Sequence, residues 1–116
     1  MDNKLYDKTT NLLLRVGVPA SVIGFDALRQ AILLVVEDPG ILRQVTKRLY
    51  PAAAEKIGTT SPRAERAIRH AIETAWNRGD PDDLIRIFGA VSPDKGKPTN
   101  SEFIAAAAEL LRRETR

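Results

Sequence analysis

The sequence predicts an all-α fold. Apolar residues recur at spacings of three and four along most of the chain, and no stretch alternates for long enough to suggest a sheet. Hydrophobic residues make up 43% of the 116 residues, so the chain can bury a core, and its length suits one domain. We expect that domain to span residues 12–116, with residues 1–11 as a tail or the start of the first helix.

Prolines and glycines divide the first half of the chain into helices. Pro19 ends the first helix and Pro39 the second, because proline cannot continue a helix. Pro51 suits a first helical turn, where its missing N–H would have no partner, and Gly58 is a C-cap signal. These signals predict four helices, over residues 4–16, 25–37, 41–49 and 51–57.

The second half opens on the longest predicted helix. Ser61 is its expected N-cap, and Pro62 is its expected first helical residue. Thr99 and Glu102 have the spacing of a capping box at the start of the last helix. The predicted elements are helices over residues 61–78 and 82–88, an exposed loop over 89–98, and the last helix from residue 99.

Composition excludes several classes of protein. The chain has no cysteine and one histidine, which excludes disulfides, thiolate catalysis and sites rich in cysteine or histidine. We therefore expect no metal and no cofactor. No cluster of acid, base and nucleophile emerges from the sequence, so we also expect no enzymatic activity. The longest apolar run, residues 31–36, is far short of the roughly 20 residues that span a bilayer, so we expect no membrane contact and a cytoplasmic location.

Charge is distributed unevenly. The net charge is +3, but residues 41–78 hold eight lysines and arginines against three glutamates, a local balance of +5 that leaves −2 elsewhere. Such an asymmetry favours an anionic partner for this stretch, although a solvated basic face gives the same count.

The helix over residues 61–78 has two different sides. Its apolar residues, mostly alanines, follow one narrow stripe that we expect to be buried: Ala64, Ala67, Ile68, Ala71, Ile72, Ala75 and Trp76. Long hydrogen-bonding side chains occupy the other side: Arg63, Glu65, Arg66, Arg69, His70 and Glu73. Together with the short helix before it and a three-residue turn, this helix has helix-turn-helix spacing.

Three polar residues stand where such a helix would meet base edges. The major groove of B-DNA is about 12 Å wide and admits one α-helix, whose N-terminal residues face the bases. Arginine can donate two hydrogen bonds to guanine, and glutamate can accept one from the cytosine amino group. We therefore expect Arg63, Glu65 and Arg66 to contact bases.

Several residues of this helix can also be explained without a DNA-binding role. Arg69 lies four residues from both Glu65 and Glu73, a spacing that suits solvated ion pairs worth a few tenths of a kcal/mol. His70 has no nucleophile and orienting carboxylate placed with it, which favours a phosphate or solvent contact over catalysis. Trp76 is expected in the core rather than as a platform for stacked bases.

Two lysines, Lys95 and Lys97, lie in the Gly/Pro loop before the last helix. Lysines in such loops are usually solvated, but these two can also touch phosphates beside a docked helix.

Four strings of residues resemble one known family. They are RVGVPA at 15–20, TKRLYP at 46–51, ERAIRHAIE at 65–73 and KPTNSEFI at 97–104. In this order they resemble the C-terminal DNA-binding effector domain of one family, the master sporulation response regulators known as stage 0 sporulation protein A. The resemblance covers about residues 12–113. It departs at Pro62, where the family usually has serine, and in the loop of residues 89–97.

The resemblance implies a bundle of six helices or slightly more that binds double-stranded DNA at sporulation-type promoters, as an activator and repressor. It matches Glu65 and Arg66 to base contacts and Arg63 to the same surface. The expected backbone contacts are Ser61, Arg69, His70, Lys95 and Lys97.

The resemblance also implies partners. Two copies bind tandem short boxes head to tail, and residues 79–92 resemble the part that meets the RNA polymerase sigma subunit. We expect no receiver domain before Leu12, and a place on the bacterial nucleoid. A basic helical module that binds an acidic protein partner is the alternative interpretation.

Overall fold

Helices make up most of the structure, a computed structural model that describes residues 3–88 and 96–115. No strand occurs among these residues, so the all-α prediction is confirmed. In chain order the elements are α1 (Asn3–Arg15), α2 (Ile23–Glu37), a 3-10 segment (Pro39–Gln44), a π-helical segment (Val45–Leu49), α3 (Tyr50–Ile57), α4 (Ser61–Arg78), α5 (Pro81–Phe88) and α6 (Asn100–Glu114).

The prediction of a single regular helix over residues 41–49 is wrong. Gln44, at φ −135° and ψ 55°, leaves the helical region and separates the 3-10 segment from the π-helical segment. Ile41 and Leu49 are buried at the two ends, whereas the residues between them are exposed or half-buried. The path of this segment is therefore set by packing at its ends rather than by its own periodicity.

The start of α4 differs from the prediction by one residue. Thr60, not Ser61, has the extended backbone of an N-cap, and its hydroxyl accepts a hydrogen bond from the Arg63 N–H at 3.4 Å. Ser61 is the first helical residue, which moves Pro62 to the second position. The capping box of α6 is confirmed, because Thr99 and Glu102 exchange both of its hydrogen bonds.

Helix α2 is the centre of the bundle and packs against α1, α3, α4 and α6. It approaches α4 closely at Gly24, where a Cβ atom would lie 2.4 Å from the carbonyl oxygen of Ala67 and 2.8 Å from the Cβ of Ala71. Only a glycine lets the two backbones come this near. The contact fixes the depth at which α4 sits in the fold.

An aromatic cluster joins the last three helices. Trp76 of α4 lies 5.5 Å from Phe88 of α5, measured between ring centroids, and Phe88 stacks on Phe103 of α6 at 4.5 Å. Trp76 therefore contributes to the core, as expected from its place on the apolar stripe. Within the described ranges no helix is long and apolar enough to cross a membrane.

Candidate nucleic-acid interface

The buried stripe of α4 turns the polar side of the helix to the surface. Five residues of the stripe are buried: Ala64, Ile68, Ala71, Ile72 and Ala75. Arg63, Arg66 and His70 are all exposed on the opposite side and follow one another at helical spacing. We call these three residues the outward row.

A second line of polar residues runs along the flank of α4 that faces α6. Its members, which we call the edge row, are spaced by four residues: Ser61, Glu65, Arg69 and Glu73. Ser61 and Glu65 line a groove shared with Ser101, and Arg69 lines a neighbouring cleft shared with Asn100. The two rows together hold every site residue predicted on α4.

The turn before α4 is tightly built. Gly58 has a φ of 72°, in the left-handed region that suits glycine. Its N–H and that of Thr59 donate to carbonyl oxygens at the end of α3, at 3.3 and 2.9 Å. Helix α3, this three-residue turn and α4 thus form the helix-turn-helix predicted from the sequence, with the outward row on its second helix.

The edge row carries ion pairs. Arg69 donates to the Glu65 carboxylate at 2.6 Å, and the Lys97 ammonium lies 3.6 Å from the carboxylate of Glu73. The pair between Glu65 and Arg69 that the spacing suggested therefore forms, while Glu73 pairs with Lys97 instead of Arg69. All four side chains are partly open to solvent, and such pairs are worth about 0.2–1 kcal/mol. A phosphate or a base can displace them at little cost.

A polar junction holds α4 against its neighbours. The Asn100 side-chain amide donates to the Tyr50 hydroxyl at 3.1 Å and to the backbone carbonyl of Glu65 at 3.2 Å. Burial raises the pKa of Tyr50; the Asn100 hydrogen bond opposes that rise. Sequence reasoning missed Tyr50 and Asn100 because no local spacing connects residues 50 positions apart.

The structure describes only one of the two lysines predicted to contact phosphates before α6. Lys97 is exposed and reaches α4 through Glu73. Lys95 falls outside the described residues. Pro98, predicted as part of an exposed loop, is instead buried, between α6 and the edge row of α4 beside the cleft that they form.

A sequence model of the family described as "Sporulation initiation factor Spo0A C terminal" matches residues 9–111. The chain belongs to this family. The match covers nearly the whole chain, including the helix-turn-helix and Lys97, and it confirms the resemblance seen in the four strings. The Spo0A C-terminal domain is the DNA-binding effector domain of a response regulator that controls transcription in sporulation, and the family is not an enzyme family.

The geometry suits this Spo0A C-terminal domain to nucleic acid. The outward row offers two guanidinium groups and an imidazole on a helix that is supported from below by alanines. Guanidinium groups donate in a fork that matches guanine edges and phosphates. Among the residues that the structure describes, no group of three or more side chains is placed to hold a metal ion.

Proposed function

We propose that this Spo0A C-terminal domain is a sequence-specific, double-stranded DNA-binding transcription factor domain that regulates sporulation-type promoters by inserting α4 into the major groove. The observation that carries the proposal is the outward row, Arg63, Arg66 and His70, exposed on the second helix of a helix-turn-helix. A single helix fits the major groove with its N-terminal residues at the base edges.

Base reading is assigned to Arg63, Glu65 and Arg66, which lie in the first two turns of α4. Both arginines are exposed, so their guanidinium groups are available to guanine. Glu65 is half-buried and paired with Arg69. Because this ion pair is partly open to solvent, Arg69 can turn to a phosphate and leave the Glu65 carboxylate to a cytosine amino group.

Phosphate contact is assigned to the remaining predicted residues, Ser61, Arg69, His70, Lys95 and Lys97. Such contacts set the register of the protein on the duplex and carry no sequence information themselves. Lys97 and Arg69 both border the cleft along the edge row, a placement that supports a role beside the docked helix.

The proposed assembly is the one that the family resemblance implies, and the small size of one module supports it. A single helix-turn-helix makes few contacts, and a second copy on an adjacent box raises the effective concentration of the first. We propose two copies head to tail on tandem short boxes. We propose that residues 79–92, of which 89–92 lie outside the described residues, then meet the RNA polymerase sigma subunit on the bacterial nucleoid.

A fluorescence-anisotropy titration tests the proposal. A duplex with a tandem sporulation-type box and a scrambled duplex of equal length are titrated at several salt concentrations. We expect the tandem duplex to bind on the order of a hundredfold tighter or more, with affinity falling as salt rises. Equal affinity for both duplexes would contradict the proposal. Binding to an acidic protein but to neither duplex would instead support a basic protein-interaction module.

A further inference from the structure

A second basic surface lies outside the residues assigned so far. Residues 39–54 contain three cations, Arg43, Lys47 and Arg48, and no carboxylate. All three are exposed. They belong to the 3-10 and π-helical segments that precede α3. Neither the base-reading helix nor the loop before α6 includes this surface.

Two of these cations are available to a ligand. Arg48 forms an ion pair with Asp38 at 3.3 Å. Within the described ranges no ion pair engages Arg43 or Lys47. Both line an open hollow of about 540 Å³ formed by residues 42–47, together with the amide of Gln44 and the hydroxyl of Thr46. The hollow thus presents two positive charges and two neutral polar groups.

The hollow lies next to the start of α4. Val45 and Thr46 also line a groove whose other side is formed by Ser61, Pro62 and Glu65. Those three residues are the first turns of α4, at the N-terminal end of the edge row. Arg43 and Lys47 therefore flank, along the chain, the two residues that share a groove with the part of α4 assigned to base reading.

Cations occupy both ends of the same flank. Lys97 pairs with Glu73 at the far end of the edge row, and Arg43 and Lys47 flank the residues, Val45 and Thr46, that share a groove with Ser61 at its beginning. Glu73 lies twelve positions after Ser61 on the helix, roughly 18 Å at 1.5 Å per residue. One DNA strand running along this flank would meet positive charge at both ends.

We propose that Arg43 and Lys47 bind backbone phosphates of the DNA strand that borders the N-terminal end of α4. The inference rests on the proposed function and adds a phosphate-binding surface to it. Phosphodiester oxygens suit this hollow, because they accept hydrogen bonds from guanidinium, ammonium, amide and hydroxyl groups at once. An acidic peptide would need apolar anchor points as well, and the hollow offers only the half-buried Leu42 and Val45.

The first test compares two double variants that remove the same charge. One is Arg43→Gln with Lys47→Gln. The control is Arg15→Gln with Arg113→Gln, which changes exposed arginines on α1 and α6. Thermal unfolding of both checks that they fold. Affinities for the tandem and scrambled duplexes are measured between 50 and 300 mM salt.

The hollow variant should lose affinity for both duplexes by about the same factor, roughly tenfold per lost contact at 0.1 M salt. The slope of log affinity against log salt should fall by about 0.9 for each contact, and the ratio between the duplexes should stay as in the wild type. A slope equal to that of the control overturns the inference, as does a changed ratio, which would indicate base contact.

The second test locates the phosphates. Single methylphosphonate groups, which are neutral, replace one phosphate at a time along the tandem duplex. The wild type should lose affinity at one or two positions that flank the bases read by α4, and the hollow variant should be insensitive there. Equal sensitivity of both proteins at every position contradicts the inference. If the wild type prefers the tandem duplex in that case, the proposed function still stands.

Discussion

At the scale of the residue, Arg66 is the sharpest test of base reading. It is exposed in the middle of the outward row, and a bidentate arginine–guanine contact is worth about 1–3 kcal/mol of discrimination. Arg66→Ala should therefore reduce the preference for the tandem duplex over the scrambled one by about 5- to 150-fold. Anisotropy titration of both duplexes measures the ratio.

Arg78 provides the matched control for that variant. It is also an exposed arginine on α4, but it is the last residue of the helix. Arg78→Ala removes the same charge and should leave the preference between the duplexes unchanged. A preference that survives Arg66→Ala equally well removes Arg66 from the base-reading role.

Ionisation of Tyr50 should lower the free energy of unfolding at alkaline pH. Burial raises its pKa in the folded protein, and the negative charge of Glu65 acts in the same direction, whereas the Asn100 hydrogen bond and the positive charge of Arg69 lower it. The neutral phenol is thus favoured by folding. The contribution of the neutral phenol to the free energy of unfolding is complete below the unfolded pKa of about 10. It is lost as pH rises through the folded pKa.

Tyr50→Phe isolates this effect. The wild type and the variant are unfolded with urea at pH 8, 9.5 and 11. The free energy of unfolding of the wild type should fall more steeply above pH 10 than that of Tyr50→Phe, which has no phenol to ionise at this position. Parallel losses in the two proteins would show that Tyr50 does not titrate differently on folding.

At the scale of the element, the crossing of α2 and α4 is sensitive to a single methyl group. In Gly24→Ala the new Cβ would stand 2.4 Å from the Ala67 carbonyl oxygen, which is backbone and cannot rotate away. We expect a loss of about 1–3 kcal/mol in stability from overpacking. Because α4 must shift to relieve the clash, the preference for the tandem duplex should fall as well.

Gly40→Ala serves as the reference substitution. Its added methyl would approach only the Asp38 side chain, at 3.4 Å, so urea unfolding should give a free energy close to that of the wild type. A Gly24→Ala protein as stable as Gly40→Ala would mean that the two helices are not held at this distance.

The elements that the sequence predicts best are those with local signals. Pro19 and Gly58 mark helix ends through their own backbone preferences, and the alanine stripe of α4 requires no knowledge of its neighbours. The N-cap of α4 was missed by one residue, since Thr60 and Ser61 both carry a hydroxyl. Which one caps depends on the backbone path out of the turn, which the whole fold decides.

Long-range contacts at the candidate site had no such signal. The amide of Asn100 reaches Tyr50 and the Glu65 carbonyl only because α6 packs beside α4. The hollow at residues 42–47 was hidden for a related reason, because the expected regular helix gave way to 3-10 and π-helical turns. The outward row could be predicted, since it depends on helical periodicity alone.

At the scale of the whole molecule, the continuous core indicates that the chain unfolds as one unit. Trp76, the only tryptophan, contacts Phe88 and Phe103, so its fluorescence reports on the end of the bundle where α4, α5 and α6 meet. Far-UV circular dichroism reports on all helices together. Single domains of this size usually unfold in one cooperative step.

We therefore expect urea transitions followed by fluorescence and by circular dichroism to coincide in midpoint and slope. Phe103→Leu removes the stacked ring and leaves a small cavity, which should lower both midpoints together by the equivalent of about 1–2 kcal/mol. A fluorescence midpoint at lower urea than the dichroism midpoint would contradict this. In that case the end of the bundle where α4, α5 and α6 meet would melt before the other helices.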